Sequence, residues 1–352
     1  MIGYEINDKC RKKGGLAMPR YVGMDLGTTY TRIWKPGEGV ILRCPSAAAI
    51  DGQTRNLVAL GAEARKMLGK TPQDILASCP IREGVVSEFD VAARMVHAMF
   101  MNKRLCSTFN RPVVLMATPY YMDQVQQFGI ENTVIEAGAR AVAQVPAVFA
   151  AAAGAGLRVN ANRGCMVLNI GGGLSESAAI ALGGILAGRS IKVAGERFDA
   201  AIMNYLKQKR NLVVGAVTAE EVRVRIGVCD NSLERGSITV YGRNARTGLA
   251  SRQEVFSSEI CEAITPAIAA IARNAMSLLE DVSPAIASDI HRYGIMLTGG
   301  CAAMPGMDLA IHRETGLRVT VADRPRDCVI NGVGCILKEP SLWGTRLDYR
   351  IK

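Results

Sequence analysis

The apolar positions of this chain fall into short continuous runs that alternate with longer segments of helical periodicity. Residues 21–34 predict a strand, a tight glycine-containing turn and a second strand, and residues 166–180 repeat that pattern. In each segment an apolar run carries an acidic or amide residue, Asp25 or Asn169, toward glycine and hydroxyl residues. The repeat indicates two related halves that each contribute one loop to a shared cleft. A coincidental likeness of two glycine-rich turns is the alternative.

The segments between and beyond these hairpins predict sheets covered by helices. Five of them carry a clear pattern: a buried strand at 111–117, an amphipathic helix at 123–142, a buried alanine-rich helix within 141–157, a helix at 259–279, and a strand running into a glycine turn at 294–300. The alanine-rich run is too short and too weakly apolar for a bilayer span. Strands that alternate with helices indicate an α/β fold.

Composition limits the classes of partner. The chain has 352 residues, 49% of them apolar, which is enough for a large core and for two domains. The net charge of +10 permits attraction to nucleic acid or to an anionic membrane. Only 5% of the residues are aromatic and no nucleic-acid motif is present, so the charge favours a lipid surface, or no specific partner, and nucleic acid is not expected. Ten scattered cysteines without a Cys-x-x-Cys pair argue against a zinc site or a disulfide framework.

Five motifs occur in an order that resembles the bacterial actins, and the MreB family of rod shape-determining proteins most closely. They are Asp25-Leu-Gly-Thr28, Asn169-Ile-Gly-Gly-Gly173, and residues 193–199, 218–221 and 297–300. The similarity runs from about Tyr21 to Leu337. It implies a divergent member with an actin-like, ribonuclease H-like duplicated fold: two large domains, each with a small inserted subdomain, and ATP in the interdomain cleft.

The resemblance also implies domain boundaries. The first large domain comprises 21–45, 80–165 and 326–340, with an inserted subdomain at 46–79. The second large domain comprises 166–196 and 258–325, with an inserted subdomain at 197–257. A flexible N-terminal tail at 1–20 and a C-terminal tail at 341–352 complete the chain.

The glycine turns suit a phosphate chain, because glycine lets backbone N–H groups approach phosphate oxygens closely and adjacent hydroxyls add donors. The phosphate contacts expected on this basis are Gly27, Thr28, Thr29, Gly171, Gly172 and Gly173. By resemblance, Asp25 orients Mg²⁺ through water, Glu220 and Arg223 contact the adenosine, and the remaining nucleotide contacts are Asn169, Gly195, Gly299, Gly300 and Cys301. Tyr30 either covers the phosphates or packs outward. An ordinary ion pair on a solvated helix face is the alternative for Glu220 and Arg223.

Three positions depart from the family pattern. Asn169 replaces an Asp, Leu174 replaces a Thr, and Ala147-Val148 stands where the family has a Glu-Pro pair whose Glu positions the attacking water. Gln144, Glu131 and Glu136 are no obvious substitutes. These changes predict an ATP binder with slow or absent hydrolysis. The alternative is that a neighbouring side chain reaches in after polymerisation.

The resemblance implies a cytoplasmic, ATP-binding cytoskeletal protein that self-associates into filaments at the inner face of the cell membrane, acts with the cell-wall synthesis machinery and helps determine rod shape. The loop at 103–111 places Leu105 and Phe109 among cations, which suits an anionic leaflet. One alternative is a hydrolysis-deficient paralogue that co-assembles with another filament protein. A second is a superfamily small-molecule kinase with Asp199 as its base.

Overall fold

The computed structural model describes residues 20–107, 110–342 and 350–351. The strands are β1 Tyr21–Leu26, β2 Tyr30–Lys35, β3 Gly39–Pro45, β4 Ala48–Asp51, β5 Leu57–Leu60, β6 Ile75–Ser78, β7 Ile81–Arg82, β8 Val85–Val86, β9 Val113–Thr118, β10 Ala141–Pro146, β11 Cys165–Ile170, β12 Ser175–Ala181, β13 Gly184–Ile191, β14 Leu212–Val213, β15 Ser237–Asn244, β16 Ala250–Phe256, β17 Ile295–Thr298, β18 Val319–Val321 and β19 Arg350–Ile351. The α-helices are α1 Ala62–Met67, α2 Phe89–Asn102, α3 Gln124–Glu136, α4 Ala147–Gly154, α5 Gly195–Arg210, α6 Ala216–Ile226, α7 Ser257–Met276, α8 Pro284–Tyr293, α9 Met307–Thr315 and α10 Cys328–Lys338.

The first of two compact units takes in the described residues up to Asn160 and from Val329 onward. Its six-stranded sheet has the order β19-β10-β9-β1-β2-β3, in which β10, β9 and β1 run parallel and the other neighbours are antiparallel. The apolar face of α2 contributes Met95, Met99 and Phe100 to the core beneath this sheet. Strands β5, β4 and β6 form a separate small sheet against α1.

The second unit comprises Ala161–Cys328. Its five-stranded sheet has the order β13-β12-β11-β17-β18, with β11, β17 and β18 parallel and the other pairs antiparallel. Helices α5 and α7 pack together and bury Phe198 and Ile264 in its core. A small sheet of β14, β15 and β16 lies in the same unit.

The two large sheets share one topology. In each, an antiparallel three-stranded meander is continued by two parallel strands, with β1 and β11 at the junction. The predicted repeat of strand, glycine turn and strand is therefore confirmed, and the fold is the α/β duplication expected from the sequence. The subdomain boundaries remain predictions.

One helix prediction is wrong. Residues 123–142 were expected to be a single helix, but α3 ends at Glu136 and Ala141–Pro146 forms the buried strand β10. The chain turns at Gly138, which has a φ of +115°. Strand β10 is bonded to β9 along its whole length, so its apolar run belongs to a central strand and not to the buried helix expected from 141 onward. The alanine-rich helix itself begins at Ala147.

The membrane contact predicted for Leu105 is also wrong. Leu105 is only 1% exposed and belongs to the core of the first unit, because the chain turns inward after α2. Phe109, the N-terminal tail and most of the C-terminal tail lie outside the described residues. Within residues that the structure describes, no helix combines the length and the apolar composition that crossing a bilayer requires.

Candidate functional site

The loop of the first hairpin is closed by its own backbone. The N–H of Gly27 donates to the carbonyl of Tyr30 at 3.2 Å, and the hydroxyl of Ser46 donates to the carbonyl of Gly27 at 2.6 Å. The Ser46 N–H also donates to the Thr29 carbonyl at 2.9 Å. Because the Gly27 and Thr29 carbonyls both accept bonds from Ser46, which lies outside the loop, these contacts fix the shape of the turn.

Thr28 is held by a second turn. Glu83 and Gly84, both with positive φ, connect β7 to β8, and the N–H of Gly84 donates to the Thr28 hydroxyl at 3.0 Å. The hydroxyl oxygen of Thr28 therefore accepts a bond from the protein, while its proton stays available as a donor. That is the role expected of a hydroxyl beside a phosphate.

Asp25 faces a cation that the sequence prediction did not consider. Asp25 lies directly opposite Arg32 in the β1–β2 pair, and Arg32 Nη1 is 3.1 Å from Asp25 Oδ2. Both side chains are largely buried, with 15% of Asp25 and 14% of Arg32 exposed. The Arg32 guanidinium also lies 5.6 Å from the centroid of the Tyr30 ring, and Tyr30 itself is 37% exposed.

The loop of the second hairpin has the same closure. The N–H of Gly171 donates to the carbonyl of Leu174 at 2.9 Å, as Gly27 does to Tyr30. Asn169 corresponds to Asp25 with an offset of 144 positions (169 − 25), and it lies opposite Glu176 where Asp25 lies opposite Arg32. The Asn169 side-chain oxygen accepts a bond of 3.2 Å from the Thr298 hydroxyl at the end of β17.

Helix α5 begins on this second loop. The N–H groups of Gly195 and Glu196 donate to the carbonyls of Gly171 and Gly172 at 3.2 and 2.7 Å. These two bonds orient the loop carbonyls toward the helix. They therefore place Gly195, a predicted nucleotide contact, beside the loop of residues 171–173.

The turn after β17 lies against the same loop. Gly299 has a φ of +93°, and a Cβ at this position would lie 2.3 Å from the Ile170 carbonyl oxygen, so only glycine fits. Cys301 follows in a short 3₁₀ turn, and its thiol donates to the Gly171 carbonyl with a distance of 3.2 Å from Sγ. Burial raises the pKa of the Cys301 thiol, so the neutral S–H form makes this bond.

Arg223 supports this cluster from α6. Its Nε and Nη2 bond both carboxylate oxygens of Asp199 on α5 at 2.7 and 3.2 Å, and Nη1 lies 3.9 Å from Cys301 Sγ. Its distance to Glu220 on the same helix is 4.0 Å. Arg223 is therefore buried between helices, and the alternative of an ion pair on a solvated face does not apply. Adenosine contact by Glu220 and Arg223 remains a prediction.

Replacing Asp199 with alanine is expected to lower the free energy of unfolding of the second unit by about 3–5 kcal/mol, because it leaves Arg223 buried without its carboxylate. Urea-induced unfolding measures this. The matched control is Asp281→Ala, which breaks the more exposed pair with Arg189 and is expected to cost at most about 1 kcal/mol. Equal losses for the two variants would contradict the buried role of Asp199.

The residues present do not fit the magnesium site that the resemblance implied. The Asp25 carboxylate is bonded to Arg32, and the corresponding Asn169 carries no charge. Throughout the described ranges, no three His, Cys, Asp or Glu side chains cluster in a way that could hold a metal ion. Mg²⁺ prefers anionic oxygen ligands or waters oriented by them, and a carboxylate neutralised by a guanidinium supplies this poorly.

The positions considered for acting on water or on a substrate hydroxyl hold a side chain that is inert or one that is bonded elsewhere. Helix α4 begins at Ala147, whose methyl group cannot orient water. The nearby amide of Gln144 donates to the Glu131 carboxylate at 2.7 Å. The kinase alternative relied on Asp199 as a base, and Asp199 is tied to Arg223.

Two site residues were missed by sequence reasoning, Arg32 and Glu176. Each follows the acidic or amide residue of its hairpin by seven positions, and strand register places it directly opposite that residue. The predicted tight turns would have revealed both, because turn length fixes the register of a hairpin.

Comparison with known proteins gives one consistent picture. Residues 19–343 match the sequence family described as MreB/Mbl protein. The cell shape-determining protein MreB of Escherichia coli (strain K12) is 37% identical over 329 residues, which cover 92% of this chain and 94% of that protein. The cell shape-determining protein Mbl of Bacillus subtilis (strain 168) is 34% identical over 318 residues, covering 90% and 96%.

Solved structures agree with the sequence relatives. MreB5 of Spiroplasma citri bound to ADP has a TM-score of 0.85 at 32% identity and covers 91% of this chain and 97% of its own. The same protein bound to AMPPNP has a TM-score of 0.86, with 92% and 98% covered.

Proposed function

The chain belongs to the MreB/Mbl family and has an actin-like fold, and from this we propose that it binds ATP and polymerises into filaments that help determine rod cell shape. The observation that carries the proposal is the repeated hairpin loop. Gly27 and Gly171 close their loops with the same N–H to carbonyl bond, at the same register, in both units. MreB5 of Spiroplasma citri, a structural relative, is bound to ADP in one structure and to AMPPNP in another.

The proposed phosphate ligands are the backbone N–H groups at residues 28–29 and 172–173 and the hydroxyls of Thr28 and Thr29. Gly27 and Gly171 shape the loops, because their own N–H groups already donate to Tyr30 and Leu174. In the second unit, residues expected to contact the nucleotide are already bonded to one another: the Gly195 N–H and the Cys301 thiol both donate to the Gly171 carbonyl. A loop whose shape is fixed in this way lowers the entropic cost of binding an anion.

We propose that hydrolysis is slow. Ala147 supplies no group to position water, and Gln144 and Glu131 are bonded to each other. A water-positioning or general-base group contributes about 10²–10⁴-fold to turnover. The missing groups also support a second candidate function, a hydrolysis-deficient paralogue that co-assembles with or regulates another filament protein.

Electron microscopy of the purified full chain with ATP, ADP and AMPPNP distinguishes the two candidates. Filaments with all three nucleotides are expected if nucleotide binding is sufficient for assembly. Filaments that form only after a second MreB-type protein is added would favour the co-assembling paralogue. Absence of filaments under every condition, including with that second protein, would contradict both candidates.

We propose that these filaments lie at the inner face of the cell membrane, drawn there by charge. The net charge of +10 favours an anionic lipid surface, and each basic residue near it contributes about 1 kcal/mol. Co-sedimentation with vesicles is expected to require anionic lipid and to weaken as salt rises. Equal pelleting with zwitterionic vesicles would contradict this electrostatic account. Leu105→Ser is not a useful probe, because Leu105 lies in the core.

A further inference from the structure

Arg32 lies where a nucleotide phosphate is expected. The β1–β2 register sets it directly across from Asp25, and the loop of residues 27–29 connects the two strands that carry them. The guanidinium is 3.1 Å from the Asp25 carboxylate and adjoins the ring of Tyr30. A cation held at this depth beside backbone donors is a favourable partner for a phosphate oxygen.

The first hairpin also carries a positive charge of its own beside the predicted phosphate loop. By resemblance to the family, the carboxylate at the end of its first strand acts through a divalent cation. Here that carboxylate, Asp25, is paired with the Arg32 guanidinium. A cation that belongs to the strand itself can offset phosphate charge that otherwise requires a metal ion.

We propose that Arg32 is a direct ligand of the nucleotide phosphates, and that this chain therefore binds ATP and ADP with little dependence on divalent cations. The inference rests on the proposed nucleotide binding. Asp25 holds the guanidinium on the strand that follows the loop. When the nucleotide binds, the guanidinium shares its donors between Asp25 and a phosphate oxygen, since it carries five N–H groups. No covalent bond forms or breaks in this step.

A purely structural role for Arg32 makes different predictions. Both side chains of this pair are largely buried, so removing Arg32 leaves the Asp25 carboxylate without its cation and lowers stability in either case. If pairing with Asp25 were the only function of Arg32, the folded variant would keep its nucleotide affinity unchanged. The two roles are therefore separated by measuring affinity and stability on the same variants.

The test is isothermal titration of the purified full chain with ADP and with ATP, in buffer containing either magnesium or EDTA. We expect dissociation constants within about threefold of each other in the two buffers. Arg32→Leu is expected to weaken binding in EDTA by about tenfold or more, because it removes a charged hydrogen bond. Lys35→Leu is the matched control: it removes an exposed cation from the same strand and is expected to leave affinity unchanged.

Two further variants distinguish a loss of nucleotide binding from a loss of folding. Arg32→Lys keeps the charge and is expected to retain part of the EDTA-resistant affinity. Asp25→Asn releases Arg32 and is expected to maintain or increase affinity in EDTA, whereas a magnesium-orienting Asp25 predicts weaker binding in magnesium. Thermal unfolding of each variant confirms that it is folded.

The outcomes are distinct. Wild-type binding that is more than tenfold weaker in EDTA, or Arg32→Leu with wild-type affinity in both buffers, would overturn the inference and leave the proposed function standing. No detectable binding of either nucleotide in either buffer would overturn both.

Discussion

Replacing Gly332 with alanine is expected to unfold the first unit. Gly332 lies on α10 where this helix meets α4, and a Cβ there would be 1.7 Å from the Ala150 carbonyl oxygen and 2.9 Å from the Gly154 nitrogen. These are backbone atoms of a helix, so no side-chain rotation relieves the clash. Overpacking typically costs about 1–3 kcal/mol, and a contact this short belongs to the exceptional losses above about 4 kcal/mol.

Gly129→Ala is the matched control for this prediction. Gly129 is also a helical glycine of the first unit, on α3, and nothing lies within 4 Å of its added Cβ. Alanine there is expected to stabilise the unit by up to about 1 kcal/mol through helix propensity. Urea unfolding followed by circular dichroism measures both variants. Equal midpoints for Gly332→Ala and wild type would contradict the close packing of α10 on α4.

Introducing a carboxylate at the start of α4 is expected to increase ATP turnover. Ala147→Glu places an acidic group at the first position of the helix, where the helix dipole favours negative charge and the fold should tolerate it. The expected gain in phosphate release is about 10²-fold or more, the contribution of one water-positioning group. Adding Asn169→Asp restores the second missing carboxylate and is expected to increase the magnesium dependence of turnover.

The control for this gain is Ala153→Glu, which makes the same chemical change near the other end of α4. Its turnover is expected to equal that of the wild type. If Ala147→Glu also leaves turnover unchanged while nucleotide binding persists, the absence of a carboxylate at this position does not limit hydrolysis.

The duplicated architecture was predictable because its signal is local. The sequence contains twice the same pattern of a short apolar run, a polar residue and a glycine turn, and strand pairing follows directly from such turns. The structure adds the detail that Asp25 and Asn169 occupy equivalent positions in equivalent sheets. It also adds that both loops are closed by the same backbone bond.

The charge partners were harder to predict because they depend on strand register and on contacts between helices. Arg223 has a nearby Glu220, which made a surface ion pair plausible, yet its carboxylate partner Asp199 comes from another helix 24 positions earlier. Arg32 is close to Asp25 in sequence, but a charged residue in a strand gives no indication of its partner until the register is fixed.

Burial was misjudged where composition alone guided the prediction. Leu105 lies in a basic segment typical of a membrane-facing loop, but the chain turns back after α2 and takes this side chain into the core. Residues 141–146 are apolar apart from Gln144, which fits a buried helix or a buried strand equally well. Pairing with β9 decides between them, and only the tertiary structure shows it.

Chromatographic identification of the nucleotide retained by the purified full chain tests most directly whether this protein binds ATP and hydrolyses it slowly. The protein is loaded with ATP, free nucleotide is removed, and the bound fraction is analysed over several hours beside Escherichia coli MreB. We predict that ATP stays bound and unconverted. Failure to retain any nucleotide, or conversion to ADP as fast as in the Escherichia coli protein, would contradict the account.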